Sequence, residues 1–288
     1  MFSKFFAALL TVLLLAGCAR PAEVHPALWQ VEGPKGEKAW LFGTIHALPD
    51  PVQWKSAKVG AAMKDADVLV LEVAAILSTS RTTEIFANLA QSPGLPRLAD
   101  RVPPDLRDEL EHELGASGYL NGELDHYETW AAMLMFQQAI GARSDADSEN
   151  GIDRAIVRDW PGRVDEFEGA AAQFRIFDGL PEVQQRALLA ATLRDAPQQP
   201  AKLALLQKAW ANGDVETLAK VTDQDFAGQP DLRAALLTDR NRAWLDKLVS
   251  LMAGGGRPFV AVGAAHLAGP DGLPALLAAK GYKVTRLQ

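Results

Sequence analysis

"ADVLVLEV" (residues 66–73) decides the architecture. From Val68 to Leu71 every side chain is apolar, and polarity returns only at Glu72. A strand that is apolar on both alternating faces belongs inside a sheet covered on both sides, not on a solvated sheet. Two further stretches have the same form. "LFGTIH" (41–46) and "VAVGAAH" (260–266) are apolar runs that each place a histidine three residues after a glycine. The three strands therefore end in His46, Glu72 and His266. If they lie side by side in one direction, these groups meet at the carboxyl edge of the sheet, where α/β sheets bind ligands. Two imidazoles and a carboxylate there suit a divalent metal with positions left for water. The glycines would let the chain turn or another group approach the backbone.

Working outward, "ALWQVEGPKGEKAWLFGTIH" (27–46) reads as a hairpin turning at Gly33–Gly36. A helix is expected over 55–64, and the pattern turns helical from about 78 to 160, most clearly at "YETWAAMLMFQQAIGA" (127–142). "NGIDRAIVRDWPG" (150–162) reads as a helix and turn, and "RVDEFEG" (163–169) as a short strand. Helices follow at about 182–194, 200–211, 214–222 and 231–252, the last stopping at Gly254–Gly256. The chain closes with a buried strand at 258–263, a helix over "GLPALLAAKG" (272–281) and a terminal strand, "YKVTRLQ". The expected fold is mixed α/β: a small central mixed sheet flanked by helices, with a large helical insertion at about 78–160 of a single domain spanning 27–288.

The N-terminus reads differently. Lys4 precedes an apolar run from Phe5 to Leu15, then Leu15-Ala16-Gly17-Cys18. This is the form of an export signal, with a run too short to cross a bilayer comfortably. Small residues ending in cysteine resemble a bacterial lipoprotein signal over residues 1–17, cleaved so that Cys18 is lipidated and residues 18–26 become a tether. The chain would then sit on a membrane of the cell envelope, facing the periplasm. Ala19 lacks the acidic character that retains lipoproteins at the inner membrane, which points to the outer one. Cys18 is the only cysteine, so no intrachain disulfide, thiolate metal site or catalytic cysteine is available. A net charge of -7 argues against a nucleic-acid partner and against adhesion to anionic lipid through a basic patch.

Taken in order, "LFGTIHALPD", "VLVLEV", "NGIDRAIVRDW" and "VAVGAAHLAGPDGLPALLAAKGYKVTRL" resemble the TraB/GumN family, whose animal relatives are the Tiki-type membrane proteases. The resemblance covers about residues 27 to 288. It implies metal-dependent hydrolysis of a peptide or protein substrate, with His46, His266 and Glu72 essential. Manganese or cobalt is the metal implied, with zinc as a further possibility. "TDRNRAW" (238–244) matches a family Arg-Asn pair at Arg240 and Asn241. Leu236, Arg240, Trp244, Leu248 and Leu251 fall on one helix face, so Arg240 lies among apolar side chains and needs a partner. That partner is either Glu72 or Glu168 in a buried ion pair, or a substrate carboxylate or oxyanion that Arg240 and Asn241 would stabilise. Glu168 falls where the family carries Leu-Glu-Thr, as a fourth ligand, a general base or an orienting group, and Gln173 is retained nearby. Two departures stand out: Ala74 replaces a second acid, and "FEG" replaces "LET". The alternative reading is a non-catalytic envelope lipoprotein that binds a peptide, metal or porphyrin in the same crevice.

Other candidates fail on their own terms. "HELGA" (112–116) has Ala116 where a zinc-protease helix needs its second histidine. "DADSENGID" (145–153) has its glycine one position late for a calcium loop, and Ile156 stands where the loop needs glutamate.

Overall fold

The computed structural model describes residues 21–74, 79–120 and 122–288. The expected leader and lipidation site at Cys18 lie outside the described residues. Strands β1 (Ala22–Glu23) and β4 (Val52–Gln53) form a small parallel pair. The main sheet has six strands: β2 (Leu28–Glu32), β3 (Lys38–Thr44), β5 (Val68–Val73), β6 (Arg163–Glu168), β7 (Pro258–Gly263) and β8 (Lys283–Arg286), in the spatial order β6-β5-β7-β3-β2-β8. β3, β5, β6 and β7 run parallel, and β2 is antiparallel to both β3 and β8. Residues 41, 69 and 259–260 sit side by side in register, so Thr44, Val73, Glu168 and Gly263 end at one edge.

The alternation expected of doubly buried strands sorts the core into two layers. Phe42, Leu69, Leu71, Phe259 and Ala261 point to one face. There they meet Val59 and Met63 of α1 (Ala57–Asp65), Ile152 and Ile156 of α5 (Ile152–Asp159), and Trp210 of α8 (Gln199–Ala211). Leu41, Val68, Val70, Val260 and Val262 point to the other, against Trp244, Leu245, Leu248 and Met252 of α11 (Asp239–Ala253) and Leu273 and Leu277 of α12 (Leu273–Ala279). β6 is one of the two edge strands, and Arg163, Asp165 and Glu166 give it the charge that discourages pairing with another chain.

The helical half has its own core. α2 (Thr79–Leu89), α3 (Arg107–Ala116), α4 (Thr129–Ala142), α6 (Ala170–Asp178), α7 (Glu182–Asp195), α9 (Val215–Asp225) and α10 (Pro230–Arg233) complete the chain. Leu110, Met133, Phe136 and Ile140 pack with Leu189 and Leu193, so the insertion shares its core with a helix from beyond β6. Three details differ from expectation. α6 is a helix that the run "GAAAQF" did not announce, because Gly169 caps it without a side-chain bond. The helix expected at 231–252 is interrupted by a π-helical turn at Ala234–Thr238, directly ahead of Arg240. The expected tether is docked from Ala22 onward: Val24 is buried, and the His25 amide donates to the Ala211 carbonyl at 2.7 Å.

Candidate functional site

The four parallel strands deliver the expected side chains to one edge. Glu72 lies at the end of β5, Glu168 at the end of β6, His46 two residues past β3, and His266 in the 3-10 turn that follows β7. His46, Glu72, Arg240 and His266 line one cleft of about 490 Å³, whose far wall is apolar and includes Leu206, Trp210, Leu218 and Phe226. On the other side of His46 and Glu72, a smaller cavity of about 190 Å³ is lined by Asp153, Gln173 and Phe174.

The two Gly-x-x-His glycines do different work. A Cβ on Gly43 would come within 3.1 Å of the Ala264 Cβ, so β3 and the turn after β7 pack tightly here. A Cβ on Gly263 would meet only Glu72 Oε2 at 3.6 Å and the His266 ring at 3.8 Å, which is ordinary contact.

Each histidine is held by its Nδ1. Asn241, fully buried on α11, accepts from His266 Nδ1 through Oδ1 at 2.6 Å. The Asn241 amide is oriented because Nδ2 donates to the Asp271 carbonyl at 2.8 Å and to that of His266 at 3.4 Å. With Nδ1 carrying the proton, His266 Nε2 is left as an acceptor, 3.3 Å from Arg240 Nη1 and 3.9 Å from Glu72 Oε2. Burial lowers the His266 pKa to about 4, so the ring is neutral at pH 7. His46 is the opposite case. Its side chain is 74% exposed, and its Nδ1 pairs with Asp153 Oδ2 at 2.8 Å. The Asp153 charge raises the His46 pKa above its ordinary 6.5.

Arg240 joins the carboxylates. Its Nε and Nη2 donate to both oxygens of Glu168 at 2.9–3.2 Å, Nη2 also bonds Glu72 Oε1, and Nη1 donates to the Leu236 carbonyl at 3.0 Å. Gln173 Nε2 donates to Glu72 Oε1 at 3.0 Å, and Trp244 Nε1 to Glu168 Oε1 at 2.8 Å. Burial pushes the Glu72 pKa up, but the charges of His266, Arg240 and His46 outweigh it and hold the group below its ordinary 4.5.

Of the roles open to Glu168, the geometry fits the orienting one, since both its oxygens are occupied by Arg240 and Trp244. Arg240 is in a buried ion pair with Glu72 and Glu168 at once. Asn241 does not face the cleft as an oxyanion partner must; it holds His266. Ala74 carries no acid, but its amide donates to Glu166 Oε2 at 2.6 Å, so a neighbouring strand brings a carboxylate there. Asp153 was not singled out from sequence. Its signal was present: it is a charge beside Ile152 and Ile156 on the buried face of α5.

The donor chemistry fits a divalent cation. Both rings are anchored through Nδ1, the usual arrangement for metal-ligating histidines, and Glu72 Oε2 is the carboxylate oxygen left free by Arg240 and Gln173. A metal-ligating His46 is neutral, and Glu72, Glu168 and Asp153 against Arg240 then leave two uncompensated negative charges for an ion. A ready-made cage is a different matter. Among the described residues no group of three or more His, Cys, Asp or Glu side chains is arranged to hold an ion. The three expected ligands share a cleft, but Arg240 is bonded to Glu72 and lies against His266 Nε2.

The model of the TraB/PrgY/gumN family matches residues 27–286. A protein of Shigella flexneri named "Uncharacterized protein YbaP" is 28% identical over 247 residues, covering 85% of this chain and 89% of that protein. The protein of the same name from Escherichia coli (strain K12) is 29% identical over 240 residues, covering 82% and 86%. No solved structure matches the chain.

Proposed function

The chain belongs to the TraB/PrgY/gumN family, and from that premise we propose that it is a metal-dependent hydrolase acting on peptides, anchored to the bacterial envelope by lipid on Cys18. The observation that carries the reading is the pair of histidines that line one cleft, each with Nδ1 held by a dedicated residue. His46, His266 and Glu72 would hold the ion. When bound, a divalent metal supplies a hydroxide-like water at neutral pH and polarises a carbonyl.

The chain's own residues do the rest. Glu72 Oε2, with Oε1 tied to Gln173 and Arg240, would ligate or take a proton. Arg240 lines the cleft but is held by Glu168, Glu72 and the Leu236 carbonyl, so to meet an oxyanion formed there it would exchange its bond to Glu72 for one to substrate. The apolar wall of α8 and α9 gives an uncharged substrate segment a place to lie. Incubating the full-length chain with a peptide library tests this, with chelator and manganese or cobalt add-back. Cleavage that chelator abolishes, add-back restores and H46A or H266A removes is the expected result; metal-indifferent cleavage counts against it.

A second reading is favoured by one observation: Arg240 grips Glu72 and abuts His266, and no three-ligand arrangement stands ready. On that reading the cleft binds a peptide, metal or porphyrin without turnover. Stoichiometric uptake with no product separates the two.

A further inference from the structure

We propose that Asp153 is the positioning residue of His46: together with Thr44 and the 147–152 segment it fixes the Nδ1 side of the ring and leaves Nε2 to the cleft. The claim rests on the reading that His46 serves the centre.

Asp153 stands at the second position of α5 with its side chain 8% exposed. A carboxylate among buried isoleucines is costly unless every oxygen is paired. Both are: Thr44 Oγ1 donates to Oδ1 at 2.5 Å, and His46 Nδ1 meets Oδ2 at 2.8 Å. The amides of the first helical turn favour a negative charge there. A buried ion pair is weak evidence of a purely structural role, because apolar side chains commonly serve stability as well or better. In this pair one partner is buried and the other lies exposed on the cleft rim. What the pair produces is an oriented, accessible imidazole.

The backbone supports the same conclusion. Leu48 and Asp147 exchange amide bonds at 2.9 and 3.2 Å, and the Ile152 amide donates to the Ile45 carbonyl at 2.9 Å. Asn150 Nδ2 donates to the Pro49 carbonyl at 3.0 Å. Gly151 passes so close to the His46 carbonyl that an added Cβ would lie 2.2 Å from it. One segment therefore holds both the backbone and the ring of His46, as α11 holds the His266 ring through Asn241. The supports differ in charge. A carboxylate makes its imidazole a stronger ligand than an amide does.

The test uses the full-length chain in detergent, with ring-labelled histidine. Metal-free wild type is expected to show a hydrogen-bonded, slowly exchanging His46 Nδ1–H, which D153A loses. Cobalt or manganese affinity is expected to fall 10- to 100-fold in D153A, the range typical of residues that support a metal-bound histidine. D153N, which keeps an acceptor but not the charge, falls between. D159N, at the exposed end of the same helix, matches wild type. If D153A retains the ring signal and binds within twofold of wild type, the proposal is overturned while the metal reading stands. If wild type takes up no metal, the metal reading fails, and loss or retention of the ring signal in D153A still decides the positioning claim. If D153A does not fold, D153N decides: an unchanged ring signal with unchanged affinity overturns the proposal.

Discussion

Replacing Arg240 by methionine keeps the aliphatic stem and removes the guanidinium. Glu72 and Glu168, each 12% exposed, then lose their common partner. Removing one member of a buried pair costs about 3–5 kcal/mol. A ceiling comes from the carboxylates themselves: a group of ordinary pKa 4.5 escapes by taking a proton, at about 3.4 kcal/mol per group at pH 7. R240M should therefore be destabilised by about 3–5 kcal/mol at pH 7. The loss must shrink in acid. Glu72 has a folded pKa below 4.5, so its contribution is present above that value and fades as pH falls through the folded one. At pH 4 the gap should narrow to about 1–2 kcal/mol, and R240M/E168Q should regain more than about 1 kcal/mol at pH 7 by removing one stranded charge. Urea unfolding followed by circular dichroism measures all of these. A gap below about 1 kcal/mol at pH 7, or one that ignores pH, would refute the claim that Arg240 is the shared partner of both carboxylates.

Further expectations follow from the same geometry. Gly151→Ala should perturb the His46 loop and destabilise the chain by more than about 2 kcal/mol, because its Cβ meets backbone at 2.2 Å, whereas Gly263→Ala should cost less than about 1 kcal/mol; equal losses in urea unfolding would contradict the close approach of Gly151 to the His46 carbonyl. His266, held near pKa 4 by burial, binds no proton in the fold between about 4 and 6.5, where the unfolded chain does. Its contribution is present above 6.5 and lost as pH falls toward 4, a drop of about 3 kcal/mol; H266Q should lack this limb of the stability–pH curve. Cys18→Ser should abolish labelling by radioactive palmitate and release the chain from membranes; persistent labelling would place the anchor elsewhere.

What the sequence disclosed follows from period and punctuation. "VLVLEV" announces a central strand because every position must avoid water, and the structure buries Val68 to Leu71 on alternating faces. Gly33 to Gly36 marks the hairpin because turn residues cluster between two apolar runs. The convergence of His46, Glu72 and His266 followed from strands of one direction. The supporting residues were harder to read, because each is fixed by partners remote in sequence. Asp153 is recognisable only once Thr44 and His46 are brought to it, and Asn241 reads as an oxyanion partner until its buried amide is traced to His266 and Asp271. α6 escaped because alanines after a glycine carry little pattern.

The central claim is that His46, Glu72 and His266 form one divalent-metal centre. Equilibrium uptake of cobalt and manganese by the full-length chain, stripped of metal beforehand, tests it most directly. The account predicts one ion per chain, lost in H46A and H266A and weakened in E72Q. Uptake that survives both histidine replacements, or no uptake by a folded wild-type chain, contradicts it.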